Sequence, residues 1–335
     1  MDLSVVVPLY QEAAVVPELI TRLTRSLDSM DRQSELVLVD DGSTDGTWSL
    51  LQDAALRDDR VRAIRLARNF GHQAALTAGL SAAEGDAVVT MDGDLQHPPE
   101  VVPSLVAKGT AESADVVYAI RSESDSEGWF KVKSAHTFYW LLNRLASLDL
   151  PPGAGDFRYM SRRIVDTLLS MPERSRFLRG MTRWSGFRQT VIEYDRGPRQ
   201  GGDSKYSLRH MIRFAADAIV SFSALPLRIA SLLGVTFSVL GGLYLLYVIY
   251  VRLFTDTALA GWTSVMIAVL ILGGVQLACL GIIGQYLGRV YEEVKGRPLF
   301  LVWEDTRASE SLVNDDSRAA VTIHERRAAY SRLDS

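Results

Sequence analysis

Two stretches of this chain, Ile229 to Tyr250 and Val265 to Leu287, run for about 22 and about 23 residues without a charged side chain. At a helical rise of 1.5 Å each reaches roughly 33–35 Å, enough to cross the hydrocarbon core of a bilayer. The alternative is a pair of helices buried in a soluble core, where uncharged runs of this length are rare. Arg209, Arg213 and Arg228 precede the first run, and Arg289, Lys295 and Arg297 follow the second. The connection from Phe254 to Ser264 carries only Asp256. The positive-inside rule then predicts a multi-pass membrane protein with both termini in the cytoplasm and the connection outside. Glycines recur at Gly234 and Gly241 and at Gly274, Gly281 and Gly288, a spacing that lets helix backbones approach closely within or between chains.

The chain has 335 residues, which leaves room for a domain of about 200 residues beside these runs. A net charge of −4 supplies no basic field for nucleic acid. The single cysteine, Cys279, permits no disulfide within the chain and fits a reducing compartment. Met1 to Pro8 has no basic region and too short an apolar run for a signal peptide, so the soluble part is expected in the cytoplasm. From about Glu304 to Ser335 the sequence is polar and charged and reads as a mobile tail.

The soluble part alternates between strand and helix. Leu3–Val7, Leu36–Val39, Val61–Leu66, Ala87–Met91 and Val116–Ala119 read as strands, the first being apolar throughout, as in strands buried on both faces. Helices are predicted over about Val16–Leu27 and over His72–Ala83, which is Ala-rich and stopped by Gly85. This pattern predicts an α/β domain with a mostly parallel sheet, whose ligands bind beyond the strand C-termini. Three strands end there in polar groups: Tyr10 and Glu12, Asp40 and Asp41, Asp92 and Asp94. No Gly-x-Gly-x-x-Gly follows the first strand and no Gly-Lys-Ser/Thr phosphate loop occurs, which argues against dinucleotide and P-loop folds.

Asp92-Gly93-Asp94 is the sharpest of these features. Two carboxylates one residue apart at the mouth of a buried strand are costly without a cation. Oxygen ligands of this kind suit Mg²⁺ or Mn²⁺, which also take oxygens from a substrate diphosphate. The motif alone is weak; its position and companions point to a nucleotide-sugar site. For Asp41 and Ser43, in Asp40-Asp41-Gly42-Ser43, a turn followed by a helix N-cap is an equally physical reading.

Val5-Val6-Val7-Pro8-Leu9-Tyr10-Gln11-Glu12, Val39-Asp40-Asp41-Gly42-Ser43 and Asp92-Gly93-Asp94-Leu95-Gln96-His97-Pro98 resemble the motifs of inverting GT-A glycosyltransferases of the second family. Gly155-Asp156-Phe157-Arg158, Arg176-Phe177-Leu178-Arg179-Gly180, Arg199-x-x-Gly202-x-Ser204-Lys205-Tyr206 and Ser221-Phe222-Ser223 resemble those of polyprenyl-phosphate glycosyltransferases. Gly284 to Glu293 resembles the two-span bacterial branch, which includes bactoprenol glucosyltransferases and relatives of dolichol-phosphate mannose synthase. The resemblance covers roughly residues 3–300. One departure is Gln11, where the family usually has Asn.

The resemblance implies a Rossmann-like GT-A domain over 1–205 with an interfacial helix at about 129–148. Amphipathic juxtamembrane helices over 206–228, two transmembrane helices within 229–288 and a cytoplasmic tail over 289–335 would follow. It implies that Asp94 and Gln96 ligate the metal with Asp92 beside them, and that Pro8, Tyr10, Glu12, Asp40 and Asp41 hold the nucleotide sugar. The acceptor would be polyprenyl phosphate. A phosphomonoester has a second pKa of about 6 and is mostly dianionic near neutral pH. It needs positioning and positive charge more than a general base. Arg121, Lys131, Ser134, Arg199 and Lys205 are the candidates for acceptor or diphosphate contacts, and Asp156 for orienting acceptor or sugar. A solvated surface remains the alternative for each basic residue, and an ion pair with Arg158 or a neighbouring Arg for Asp156. UDP-glucose is the first choice of donor; GDP-mannose, UDP-N-acetylhexosamine and UDP-aminoarabinose stay open. The family includes tetramers, so a homo-oligomer is expected.

Aromatic-rich 128–148 and mixed 207–227 read either as interfacial helices against anionic lipid or as ordinary packing. Arg183-Trp184 tempts toward processive synthases, but Gly180 stands where those have Gln. The five histidines show no metal-ligand spacing, and His97 is given no catalytic role. A transporter or scaffold with an inactive nucleotide-sensing domain is the other class; it is disfavoured because neither apolar run contains an ionisable residue that would mark a polar pathway.

Overall fold

The structure is a computed structural model that describes residues 1–121, 155–194, 225–254 and 261–307. The expectations for 129–148, for 206–224, and for Lys131, Ser134, Arg199 and Lys205 lie outside the described residues.

The sheet is built from continuous apolar runs. β1 (Leu3–Leu9) and β2 (Ser34–Asp40) are buried at every position. Two polar residues inside them satisfy each other, since the Ser4 hydroxyl donates to Glu35 Oε1 at 2.6 Å. β3 (Val61–Leu66), β4 (Ala87–Thr90), β5 (Val116–Arg121), β6 (Arg158–Ser161), β7 (Gln189–Tyr194) and β8 (Val302–Asp305) complete an eight-stranded sheet in the order β7-β5-β6-β4-β1-β2-β3-β8. β4, β1, β2 and β3 are parallel neighbours, while β6 and β8 run antiparallel to theirs. This is the mostly parallel, Rossmann-like GT-A sheet that the sequence predicted.

Helices fill the crossovers, as parallel pairing requires. α1 (Val16–Asp28) buries Val16, Leu19, Leu23 and Leu27, spaced three and four apart as one helical face demands. Each such side chain contributes roughly 1.5–3 kcal/mol on burial. α2 (Thr47–Arg57) and α4 (Val102–Ala111) flank the sheet and were not legible as helices. α3 (His72–Ala82) lies so close to the sheet that a Cβ at Gly79 would collide with Val6 of β1. α5 (Arg162–Ser170) and α6 (Leu178–Trp184) follow β6.

The end of the soluble domain departs from expectation. The tail was expected from about Glu304; 308–335 lie outside the described residues, but Glu304 and Asp305 belong to β8, which pairs with β3. Arg62 grips Asp305 through two hydrogen bonds, 3.1 and 2.8 Å. Arg307 meets the fully buried Glu35 at 2.6 Å. Composition hid this strand, because charge pairs rather than apolar side chains hold it.

A separate unit contains α7 (Leu225–Phe254) and α8 (Trp262–Val294), helices of 30 and 33 residues that pack on each other. Both extend beyond the predicted apolar runs, to take in residues 225–228 and 288–294. Leu225–Val251 and Ile271–Val294 are long and apolar enough to cross a membrane. Their side chains are open: Leu232 is 66% and Leu277 72% exposed. A Cβ at Gly234, Gly241, Gly274, Gly281 or Gly288 would meet nothing within 4 Å, so the close approach these glycines allow is not made between the two helices of this chain.

Candidate functional site

The C-terminal ends of β4, β1 and β2 lie side by side, which brings Asp92, Pro8 with Tyr10 and Glu12, and Asp40 to one edge of the sheet. Pro8 is a buried strand residue, whereas Tyr10 is 46% exposed just beyond it. The loops after β1 and β2 are latched together. The amides of Gln11, Glu12 and Ala13 donate to Ser43 Oγ (3.0 Å), Thr47 Oγ1 (3.0 Å) and Asp45 Oδ2 (3.2 Å). Gln11 sits at φ +59°, a conformation that Asn tolerates best among non-glycine residues, and its amide side chain reaches Thr44 Oγ1 at 2.8 Å.

Asp40 and Asp41 divide their work. Asp41 accepts the amides of Phe70 (2.8 Å) and Gly71 (2.9 Å), which fixes the loop into α3. Burial pushes its carboxyl up, against those two amides. Asp40 is fully buried; Oδ1 accepts the Ser43 amide at 3.0 Å, while Oδ2 has no hydrogen-bond partner among the described residues. Ser43 therefore braces this turn rather than capping α2.

The Asp92 loop turns sharply, with Leu95 at φ +57°. The Asp92 amide donates to His97 Nδ1 at 3.1 Å, and the His97 ring stacks on Phe157 at 5.0 Å. Burial holds the His97 imidazole below its ordinary pKa, against the pull of Asp92. His97 thus supports the loop as a neutral acceptor. Asp94 and Gln96 stand exposed at the tip, where Asp94 Oδ1 accepts the Gln96 amide at 3.0 Å.

His72 is the residue that sequence spacing missed. It opens α3, after Gly71 at φ +97°, and its Nε2 lies 3.5 Å from Asp92 Oδ1 and 3.3 Å from Asp156 Oδ2. Burial opposes charge on this imidazole, but the hydrogen bond and charge of Asp156, helped by Asp92, outweigh it and raise the pKa. Asp156 is buried and is paired with Arg179 at 2.8 Å and more loosely with Arg158 at 3.8 Å. Burial disfavours its ionised form, yet Arg179, His72 and Arg158 hold its carboxyl well below the usual range. Gln73, next on α3, donates to Asp156 Oδ2 at 3.5 Å and accepts the Leu178 amide at 3.0 Å. Arg121 ends β5, opposite Tyr194 of β7.

These groups fit a divalent cation. Ligand atoms of His72, Asp92 and Asp156 lie within 4.8 Å of one another. Asp92 Oδ1 and Asp156 Oδ1 are buried and lack hydrogen-bond partners among the described residues. Carboxylate oxygens with an imidazole suit Mn²⁺ as well as Mg²⁺.

The Glycosyl transferase family 2 profile matches residues 4–169. An uncharacterized glycosyltransferase of Bacillus subtilis, YkcC, is 42% identical over 299 residues, covering 89% of this chain and 92% of that one. The SfII prophage-derived bactoprenol glucosyl transferase of Shigella flexneri is 37% identical over 309 residues, covering 92% of this chain and 100% of that one. This chain belongs to glycosyl transferase family 2. Among solved structures, glucosyl-3-phosphoglycerate synthase of Mycobacterium tuberculosis, in complex with Mn²⁺, UDP and glucosyl-3-phosphoglycerate, aligns over 66% of this chain and 79% of that one. Its identity is 22% and its TM-score 0.44, a likeness too distant to assign a ligand. In this family 2 glycosyltransferase Asp92, just past the end of β4, and Asp156, just before β6, come together beside His72. The fold also recruits His72 and Arg179, which no motif spacing had joined to them.

Proposed function

We propose that this enzyme transfers a hexose, with inversion, from a nucleotide sugar to polyprenyl phosphate at the cytoplasmic face of a membrane. The observation that carries the proposal is the full-length kinship with a bactoprenol glucosyl transferase, which extends through both long apolar helices. UDP-glucose is the favoured donor.

The chain's own groups support this chemistry. Asp40 offers the donor's base a buried oxygen that makes no hydrogen bond among the described residues, with Pro8, Tyr10, Glu12 and Asp41 shaping the same edge. Asp92, Asp94 and Gln96 would hold a Mg²⁺ or Mn²⁺ ion, with His72 and Asp156 in reach of Asp92. When bound, that ion neutralises the leaving diphosphate. Asp156 is too firmly ion-paired to take up a proton near neutral pH, which agrees with an acceptor that arrives already ionised. It keeps Arg179 and His72 in place, and Arg121, Lys131, Ser134, Arg199 and Lys205 are proposed to position the lipid phosphate and diphosphate. α7 and α8 would cross the bilayer, keeping the domain where a prenyl lipid presents its phosphate.

The test supplies purified full-length enzyme with polyprenyl phosphate, Mn²⁺ and a panel of radiolabelled UDP- and GDP-sugars. The expected result is one labelled, mild-acid-labile lipid, absent when EDTA is added. Undiminished labelling in EDTA would contradict the metal role.

A further inference from the structure

Asp40, Arg65 and Glu304 occupy one row across three neighbouring strands: Asp40 is the register partner of Arg65 between β2 and β3, and Arg65 that of Glu304 between β3 and β8. Residues paired in this way project from the same face of a sheet. The row therefore reads carboxylate, guanidinium, carboxylate. Arg65 Nε lies 3.5 Å from Asp40 Oδ2, and Arg65 Nη1 lies 3.7 Å from Glu304 Oε1. Its guanidinium also rests over the Trp48 ring at 5.7 Å, and Gln52 steadies Glu304 through a 3.2 Å hydrogen bond.

The cation is shared, and neither carboxylate has it fully. At 3.5 Å Arg65 compensates the buried charge of Asp40 without forming the short charge-assisted bond that a fork of this kind makes when free to close. Asp40 Oδ2 is consequently buried yet free of hydrogen bonds. A buried acceptor is costly to leave unmade unless a ligand completes it.

We propose that Glu304 and Arg65 are positioning residues for donor binding. Glu304, on the strand that follows the second long helix, draws Arg65 back so that Asp40 Oδ2 stays available to an N–H or O–H group of the nucleotide. The inference rests on the nucleotide-sugar reading of the site and adds to it a determinant of donor affinity outside the family motifs. It also gives β8 a role beyond closing the sheet edge, since only seven residues separate the end of α8 from its start.

The test measures UDP and GDP binding by calorimetry with Mn²⁺ on full-length protein in detergent, alongside donor KM, kcat and melting temperature. Glu304→Gln keeps shape and removes charge; Arg65 then closes on Asp40. The expected result is a Kd weakened about fivefold for the nucleotide that the wild type binds, a matching rise in donor KM, and kcat within about twofold. Asp305→Asn, on the opposite face of the same strand, should lower the melting temperature and leave Kd unchanged. Adding Arg65→Met to Glu304→Gln should be non-additive by at least about threefold in Kd. A Glu304→Gln protein that binds nucleotide as the wild type does, or loses affinity only in step with Asp305→Asn, overturns the proposal. A wild-type enzyme that binds neither nucleotide overturns the donor reading itself.

Discussion

At the scale of single residues, charge placement separates two kinds of carboxylate. Asp94 is exposed and uncommitted beyond its own loop, so Asp94→Ala should abolish transfer in the radiolabel assay while leaving the melting temperature within about 1–2 °C. Asp156 holds Arg179, Arg158 and His72 together, and Asp156→Asn would leave those cations without their common anion. The expected cost is about 3–5 kcal/mol in chemical denaturation together with loss of activity. Because its folded pKa is depressed, its stabilising contribution is fully present above the unfolded value near 4 and is lost as the pH falls toward the folded one. Asp40 and Asp92 were legible as strand-end residues because each follows an apolar run, with Asp94 two residues on. His72 was not, since only the fold carries the start of α3 across to Asp92 and Asp156. Gln11 shows the converse: the family's usual Asn reflects a backbone requirement, the left-handed φ this glutamine adopts.

At the scale of elements, legibility followed the source of stability. β1 to β5 were readable because buried apolar side chains define them. β6 was not, since its four residues include the fully buried Arg158, and neither was β7, whose outer residues alternate between exposed and half-buried. β8 is the extreme case. Its fastening by Arg62–Asp305 and Arg307–Glu35 leaves Glu35 dependent on a residue 272 positions away. Arg307→Ala should therefore destabilise the soluble domain by about 2–4 kcal/mol, because Glu35 keeps its burial and loses its cation. Arg307→Lys should recover part of this. Equal denaturation midpoints for wild type and Arg307→Ala would show that β8 contributes nothing to the sheet.

At the scale of the molecule, the chain leaves the catalytic sheet, makes two long apolar helices and returns to close the sheet's edge. A fragment ending at residue 224 lacks β8 and should melt well below one in which 297–307 is rejoined through a flexible linker, in a thermal scan of the two purified fragments. Full-length protein should resist alkaline carbonate extraction from membranes, whereas the rejoined fragment should not. The proposed nucleophile is a lipid monophosphate. The most direct measurement offers the enzyme one labelled donor and a choice of polyprenyl phosphate or the matching unphosphorylated polyprenol, and follows label into each lipid. Label is expected in the phosphate-bearing lipid alone, at an inverted anomeric centre. Label in the free alcohol, or a product that retains the donor's configuration, would contradict it.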